Sequence, residues 1–407
     1  MSLKRVFLLV GLILVAALIG FGIYYGFRRA RAPFVPPPPI GPEVPPPGVL
    51  PPAGERVPVT LPPGVVTPPP AAPGLAPAAV TPPPIFRPTP VTEVSRDLAA
   101  FPSPNRQGDL RYHNAADGKF YRLGSDGRLR EMTDQVFFSV QKITWAAAAD
   151  KAVLEYPDGA KIIYDFERRR QTSLPRHWTD FTWSPEGREL AAKSLGLAPE
   201  NRWLVTIKDD GTGTRLIEPL GNNADRVTMT WSPSRQTVAL SQTGEPLGLD
   251  RREVLFVGLN GENFKSTIVE GLDFQPQWSP TGERLLYSVD SARSDFKPEL
   301  WLVDAYGESI GNNRRSLRLN TWANKCTFGS EDTLYCAVPR ELPRGAGMAP
   351  EIATSPDDIF KIDLATGLRT AIPLGGDYQI NTLSFTESGN KLFFTDRTRR
   401  GVFEVAL

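Results

Sequence analysis

The chain has 407 residues, with 46 basic and 45 acidic side chains, two cysteines and two histidines. This near-neutral balance excludes the strongly basic face that nucleic-acid binding requires. His113 and His177 lie far apart, and two cysteines supply too few ligands for a zinc site, so we predict no metal and no cofactor. Of the 41 prolines, 24 lie between Pro33 and Pro90, so the composition divides the chain into two unlike parts.

The N-terminus carries an uncharged run of 22 residues from Val6 to Phe27, with Lys4 and Arg5 before it and three arginines soon after it. Such a run is long enough to cross a bilayer as a helix. A cleaved signal peptide is the competing interpretation, but its apolar core usually spans only about 7–15 residues. We therefore predict an uncleaved membrane anchor over residues 1–32, whose orientation the flanking charges leave open.

Residues 33–92 are predicted to form a disordered proline-rich linker. Proline removes backbone donors, and the remaining Ala, Gly, Val and Thr show no periodicity, so no packed core can form there. A polyproline segment of this length reaches at most roughly 180 Å. We expect a stalk that holds the C-terminal domain away from the membrane; a ligand for aromatic-grooved domains is the alternative.

Residues 93–407 contain a repeat. The phrases Trp183-Ser-Pro-Glu-Gly, Trp231-Ser-Pro-Ser-Arg and Trp278-Ser-Pro-Thr-Gly are spaced 48 and 47 residues apart. Looser copies begin at Pro102, Trp145, Phe328 and Phe385. Each unit reads as four short strands separated by turns, which is the pattern of a propeller blade. We predict an all-β fold, a β-propeller of about seven four-stranded blades, with six as the alternative.

The recurring aromatic at the end of each first strand is expected to pack between neighbouring blades, because burial between blades is the only core of a radial fold. The third strands also align, at Phe120-Tyr121, Ile162-Ile163-Tyr164, Trp203-Leu204-Val205, Val254-Leu255-Phe256, Leu300-Trp301-Leu302, Ile359-Phe360 and Val402-Phe403. The last unit ends at Leu407 after its third strand. We therefore expect the ring to close with a strand from the N-terminal side of the domain.

The three Trp-Ser-Pro phrases resemble the WD40-like repeats called PD40, found in the TolB-type propellers of bacteria, whose typical phrase is W-S-P-D-G. The resemblance is carried by Trp183, Trp231 and Trp278 and covers roughly residues 98–407. The second unit departs from it with four alanines in the turn, and the sixth and seventh have Phe in place of Trp. The resemblance implies the propeller fold but says little about function, because propellers include binding proteins, hydrolases and lyases.

Cys326 and Cys336 are predicted on the first and second strands of the sixth unit. If the hairpin between them is centred on Glu331, the two residues lie directly opposite each other, close enough for a disulfide. A disulfide would place the propeller outside the cytoplasm, on a single-pass protein of the cell membrane. A reduced pair of small buried side chains is the alternative.

The loops between second and third strands are longer in four consecutive units, at 194–201, 244–251, 291–298 and 340–357. They share a face with the connections between blades, and long loops on one face of a repeat array mark its binding side. The candidate binding residues of this face are His177, Trp178, Asp180, Asn222, Asn223, Asp225, Asp273, Trp322, Asn324, Lys325, Asp377 and Tyr378. Asp and Asn are also good turn residues, so a structural role is the alternative for them.

Two functions remain open. The first is a membrane-tethered, extracytoplasmic, TolB-like propeller that binds or scaffolds a protein or a cell-envelope polymer. The second is a propeller enzyme, a glycan or peptide hydrolase or lyase, with carboxylates about 5–9 Å apart in the funnel. The sequence contains no G-x-S-x-G nucleophile elbow, and we predict no particular catalytic residue.

Overall fold

The computed structural model describes residues 88–97, 99–124, 126–248 and 250–407. Within them, seven antiparallel sheets of four strands follow one another around a ring, so the propeller has seven blades. The predicted membrane anchor and nearly all of the predicted linker lie outside these residues. Among the described residues, no helix is long and apolar enough to cross a membrane.

Strand β1 (Val91–Ser95) belongs to the last blade, and blades 1 to 3 follow it in chain order. Blade 1 consists of β2 (Ala99–Pro104), β3 (Leu110–Asn114), β4 (Lys119–Leu123) and β5 (Leu129–Glu131). Blade 2 consists of β6 (Lys142–Trp145), β7 (Lys151–Glu155), β8 (Lys161–Asp165) and β9 (Arg170–Leu174). Blade 3 consists of β10 (Trp178–Trp183), β11 (Glu189–Leu195), β12 (Arg202–Lys208) and β13 (Arg215–Pro219).

The next three blades repeat this order. Blade 4 consists of β14 (Val227–Met229), β15 (Ala239–Ser241), β16 (Arg251–Val257) and β17 (Thr267–Glu270). Blade 5 consists of β18 (Leu272–Trp278), β19 (Arg284–Asp290), β20 (Pro298–Asp304) and β21 (Arg315–Ser316). Blade 6 consists of β22 (Cys326–Ser330), β23 (Thr333–Pro339), β24 (Asp357–Asp363) and β25 (Arg369–Ile372).

Blade 7 closes the ring with strands from both ends of the domain. It consists of β26 (Ile380–Thr386), β27 (Lys391–Asp396), β28 (Val402–Ala406) and β1. Strand β1 pairs antiparallel with β28, with Val91 opposite Val405, so the predicted borrowing of an N-terminal strand is confirmed. Just before β1, Thr89 donates its N–H to the carbonyl of Pro373 at the edge of blade 6. The N-terminal segment therefore joins the ring at its outer edge.

The described connections also contain seven short 3-10 helices. They lie at Pro199–Asn201, Gly221–Arg226, Ala292–Ser294, Gly307–Ser309, Ala323–Lys325, Pro350–Ile352 and Glu387–Gly389. Three of them lie in loops between second and third strands and two in connections between blades. They therefore shape the same face of the ring.

The Ser-Pro pair after each tryptophan builds the tight turn between first and second strands. The side-chain oxygens of Ser184, Ser232 and Ser279 each accept a backbone N–H five residues later, at 3.0–3.1 Å. The fifth position of the phrase adopts a left-handed backbone, with φ of 67° at Gly187 and 78° at Gly282. Only glycine takes this conformation without strain, which explains the Gly in the repeat.

The recurring tryptophans link neighbouring blades, as predicted. The indole Nε1 of Trp183 donates to the carbonyl of Thr144 in the preceding blade, and Trp145 and Trp278 make the equivalent bonds. Trp183 and Trp231 are buried, whereas Trp145 and Trp278 are only partly buried. The four tryptophans therefore occupy equivalent positions in the repeat but are not equally buried.

Cys326 and Cys336 lie directly opposite each other on β22 and β23, which is the predicted register. A disulfide joins them, and their Cα atoms are 4.1 Å apart. Both side chains are buried in the core between blades 5 and 6.

Candidate functional site

Because successive strands of each blade are antiparallel, the loops between second and third strands emerge on the same face as the connections between blades. We call this the long-loop face, formed by loops 115–118, 156–160, 196–201, 242–248, 291–297, 340–356 and 397–401 and by the connections between blades. The innermost strands, β2, β6, β10, β14, β18, β22 and β26, all begin there. Their first residues surround the entrance to the central channel, which we call the channel mouth.

The structure divides the twelve predicted binding residues by exposure. Seven are exposed on the long-loop face: His177, Asn222, Asn223, Asp225, Asp273, Asn324 and Asp377. Asp180 is half-buried, and the remaining four, Trp178, Trp322, Lys325 and Tyr378, are buried. The seven exposed polar residues are therefore available to a partner on the surface, whereas Lys325 and the three aromatic residues are buried.

Trp178 begins strand β10 and packs in the core between blades 2 and 3, among Leu174, Phe181 and Ile163. Tyr378 packs against Phe394 at a ring-centroid distance of 5.1 Å. The guanidinium of Arg399 covers its ring at 4.4 Å. Both aromatics fill the space where one blade meets the next, so they stabilise the ring and offer no contact surface.

Trp322 lies beneath the longest loop, residues 340–356. It packs with Ala346 and Ala353 of that loop, and Gly345 and Gly347 donate backbone N–H groups to the carbonyls of Asp295 and Phe296. This loop is therefore part of the packed structure and is not a free surface excursion. The loop is fastened to the neighbouring blade and covers a buried tryptophan, so trimming it would expose core.

Lys325 and Asp357 form a buried ion pair behind the channel mouth, with Nζ and Oδ1 2.6 Å apart. The second carboxylate oxygen of Asp357 accepts the N–H of Ile380 in blade 7. Burial lowers the pKa of the Lys325 ammonium and raises the pKa of the Asp357 carboxyl. The pair therefore ties blade 6 to blade 7, and it carries no net charge whether or not the proton has moved between the two groups.

A cavity of about 170 Å³ opens at the channel mouth between blades 5, 6 and 7. Its lining residues are Gln275, Trp322, Asn324, Lys325, Pro350, Ile380, Asn381 and Arg397. The wall is formed by the first strand of blade 5, the start of blade 6, the long loop, the first strand of blade 7 and the loop after its second strand. Three of the predicted residues, Trp322, Asn324 and Lys325, meet here.

Sequence reasoning missed Asn381 and Arg397. Arg397 lies in the short loop that joins the second and third strands of blade 7, and every loop of this kind emerges on the long-loop face. The prediction considered only the four longer loops between second and third strands, so it passed over this one. Asn381 is the second residue of an innermost strand, so its position in the repeat was the available signal. Its approach to Asn324, which lies 57 residues earlier, depends on how blade 7 docks against blade 6.

Across the channel mouth, blades 2 and 3 contribute a group of charged side chains. Asp180 accepts from Lys193 Nζ at 2.8 Å, and Lys142 Nζ lies 3.8 Å from both Asp180 and Glu155. Burial raises the pKa of the Glu155 carboxyl. Two carboxylates from neighbouring blades therefore share the ammonium group of Lys142, and a pair of carboxylates is what the enzyme alternative requires. However, Lys142 contacts both of them, so neither is left free, and the arrangement suits a fixed charged surface better than an acid–base pair.

Asp180 and Asp273 share a backbone feature. Each lies at a β-bulge in an innermost strand, with φ of 53° and 50° respectively. Bulges redirect a side chain at the rim of a sheet. The bulges therefore change the direction of these two carboxylates at the rim of the channel mouth.

Within the described residues, no group of three His, Cys, Asp or Glu side chains could hold a metal ion.

The ring is similar to several solved β-propellers. The propeller domain of Myceliophteria thermophila Cps50 (Swd1) matches with a TM-score of 0.52 and 11% identity, covering 78% of this chain and 99% of that one. Kuenenia stuttgartiensis hydrazine synthase matches with a TM-score of 0.51 and 11% identity, covering 78% and 97%. Streptogramin B lyase matches with a TM-score of 0.49 and 10% identity, covering 78% and 97%.

No protein-family model and no curated protein matches the sequence. At such low identities the solved structures show the fold alone. The protein is therefore a seven-bladed β-propeller, a fold that is consistent with a binding or scaffolding module.

Proposed function

We propose that this protein is a membrane-tethered, extracytoplasmic β-propeller, similar to TolB-type modules, that binds a protein or a cell-envelope polymer through its long-loop face. An asymmetry between the two faces carries this proposal. The exposed large apolar side chains in the loops and connections of the long-loop face are Val136, Phe138, Leu197, Leu247, Met348 and Ile352. Among the described residues, the opposite face contributes three such side chains, Tyr306 and Leu368 in turns and Leu407 after β28. Exposed apolar surface of this kind favours contact with a partner.

The proposed tether fits the way the chain enters the ring. Residues 88–95 run along the outer edge of blades 6 and 7, and they do not cross the channel mouth. A linker that leaves from this edge keeps the long-loop face free for a partner. The membrane anchor itself is proposed from the apolar run at residues 6–27.

The extracytoplasmic location is supported by the disulfide between Cys326 and Cys336. Disulfides are rare in the cytosol, where thiols are kept reduced, and they persist in oxidising compartments. The two cysteines are the only ones in the chain, so no other thiol is present to exchange with them.

The test compares the two faces of the full-length protein, solubilised in detergent and used to capture partners from cell-envelope extract. Met348→Ser and Leu197→Ser remove exposed apolar contacts from the long-loop face without touching core. We expect each to weaken capture of any specific partner several-fold, because a well-placed apolar contact is worth about 1–2 kcal/mol.

Tyr306→Ser and Leu368→Ser are the matched controls, since they make the same kind of change on the opposite face. These variants should capture as much partner as the unaltered protein. An equal loss from both pairs, or a loss only from Tyr306→Ser and Leu368→Ser, would show that the partner binds elsewhere.

A further inference from the structure

We propose that the cavity at the channel mouth between blades 5, 6 and 7 binds one carboxylate group, the side chain of an Asp or Glu presented by a protein partner. This inference rests on the proposed function, because it specifies what the long-loop face recognises. It is carried by the charge, the free hydrogen-bond donors and the size of the cavity.

The charge of the cavity wall is positive. The ion pair between Lys325 and Asp357 is neutral as a unit, and both oxygens of Asp357 already have partners. Arg397 is then the uncompensated charge among the lining residues. Its Nη1 donates to the carbonyls of Pro350 at 3.2 Å and Ala353 at 3.1 Å, which holds the guanidinium in place without neutralising it.

A guanidinium held by neutral carbonyls is suited to a carboxylate. Two backbone carbonyls occupy Nη1, while Nε and Nη2 of Arg397 have no partner within the described part of the chain. These two nitrogens form the fork that binds carboxylates through two parallel hydrogen bonds. Arg399, two residues later, instead donates to the carbonyl of Asp377 and covers Tyr378, and it does not line the cavity.

The neutral groups of the wall add donors. The side-chain amides of Asn324 and Asn381 make no hydrogen bond to other described residues. The Nε1 of Trp322 is buried and also has no partner there. An ionised carboxylate only accepts hydrogen bonds, so it can use the side-chain amide donors of Asn324 and Asn381. Asp273 holds the Gln275 amide at 2.6 Å and lies outside the lining.

The size of the cavity selects a single side chain. A volume of about 170 Å³ corresponds to roughly five or six waters at liquid density. Pockets for drug-sized ligands span about 300–1,000 Å³, so a sugar chain would not be enclosed here. One acidic side chain fits, and the rest of its chain would lie across the long-loop face.

The experiment measures binding of N-acetyl-L-glutamate to the full-length protein in detergent by ligand-observed NMR, with N-acetyl-L-glutamine as the neutral probe of the same shape. A fragment of this size should bind with a Kd on the order of 1 mM. We expect N-acetyl-L-glutamine to bind at least tenfold more weakly. Equal binding of the two probes would overturn the proposal.

Arg397→Gln should weaken N-acetyl-L-glutamate binding at least tenfold, and Asn381→Ala by a few-fold. Arg399→Gln is the matched control and should bind as the unaltered protein does. Because Arg397 also holds the long loop, the melting temperature of each variant is measured alongside. If Arg397→Gln unfolds, the test of the carboxylate site rests on Asn381→Ala, which breaks no hydrogen bond in the structure. Unchanged N-acetyl-L-glutamate binding by Asn381→Ala would count against the site.

Two further outcomes separate this inference from its alternatives. Tighter binding of D-glucuronate than of N-acetyl-L-glutamate would overturn it in favour of an acidic polysaccharide. Leu197→Ser lies on blade 3, far from the cavity, and should weaken partner capture several-fold while N-acetyl-L-glutamate binding stays unchanged. If Leu197→Ser captures partner normally and still binds N-acetyl-L-glutamate, the proposal that the long-loop face binds the partner fails and the carboxylate site stands. If the unaltered protein binds neither N-acetyl-L-glutamate nor N-acetyl-L-glutamine, only the carboxylate site fails.

Discussion

The indole nitrogen of Trp183 donates a hydrogen bond of 2.9 Å to the main-chain oxygen of Thr144, and this bond crosses from blade 3 to blade 2. The ring of Trp183 packs with Ala146 and Val153 of the same neighbour. Blade 3 therefore joins blade 2 through an apolar contact and one hydrogen bond. Trp231 occupies the same place in blade 4, but its Nε1 has no partner among the described residues. The two tryptophans are buried alike and differ in one hydrogen bond.

This difference predicts unequal effects of the same substitution. Trp183→Phe should lower the free energy of unfolding by about 1 kcal/mol more than Trp231→Phe, because only the first loses a hydrogen bond, while the second removes an unsatisfied donor. Chemical denaturation of both variants measures the difference. Trp231→Ala should cost roughly 3–5 kcal/mol through lost burial, which checks that the site is packed. Equal costs for the two Phe variants would contradict the role assigned to the Trp183 bond.

A second prediction concerns Arg235, which stands where the other two phrases have glycine. Its φ is 67°, in the region that favours glycine. Arg235→Gly should raise the free energy of unfolding by about 0.5–1 kcal/mol, because the relief of backbone strain exceeds the loss of an exposed ion pair with Glu186. The reverse change, Gly282→Ala, should destabilise, because its Cβ would lie 2.7 Å from the Ser234 nitrogen. Calorimetry on both variants provides the check, and a destabilised Arg235→Gly would be the contrary result.

The repeats explain why so much of the ring could be predicted from sequence. The Trp-Ser-Pro phrase fixes a strand end, a serine-capped turn and a glycine conformation locally, so it locates each blade without knowledge of its neighbours. The pairing of Cys326 with Cys336 depends only on the length of one hairpin. The closure of blade 7 by β1 likewise follows from counting strands in the last repeat, which supplies three of the four.

The candidate site was harder to predict, because it depends on contacts between distant blades. Trp178 and Tyr378 lie in polar stretches, and nothing near them in sequence shows that the adjacent blade buries them. Trp322 is covered by a loop that begins 18 residues later and is fastened to blade 5. Arg397 reaches Pro350 across 47 residues. The burial and contacts of these residues are therefore determined by how one blade packs against the next, which the sequence around each residue does not show.

A third prediction tests the disulfide and the compartment together. Opening the bridge between Cys326 and Cys336, by reductant or by the double change to alanine, should cost roughly 2–3 kcal/mol, because the bridge closes a loop with a sequence separation of 10. Denaturant curves with and without reductant measure this cost. In protein taken from cells and denatured without reduction, neither thiol should react with maleimide. Two labelled thiols would refute the bridge in the cell and remove its support for an extracytoplasmic location.

The last prediction concerns Asp290, a buried carboxylate at the end of β19 whose two oxygens have no hydrogen-bond partner among the described residues. Asp290 lies beneath the long loop, and a Cβ added to Gly347 of that loop would lie 2.4 Å from the Cβ of Asp290. Burial, with a smaller effect from the charge of Asp273, raises the pKa of Asp290. A carboxyl whose pKa is raised by folding destabilises the folded state once it ionises, so its cost is present at neutral pH and disappears as the pH falls through the folded-state pKa.

Asp290→Asn should therefore raise the free energy of unfolding at pH 7, by an amount on the order of 1 kcal/mol, because the buried charge is removed while the shape is kept. The gain should shrink as the pH falls through the folded-state pKa and vanish below about pH 3, where the carboxyl is protonated in both states. Denaturant curves at several pH values measure this profile. Asp358→Asn, at an exposed carboxylate paired with Arg340, is the control and should change stability by less than about 0.5 kcal/mol. A gain that persists unchanged below about pH 3 would mean that the asparagine acts through packing, and a loss at pH 7 would mean that the charge of Asp290 has a partner.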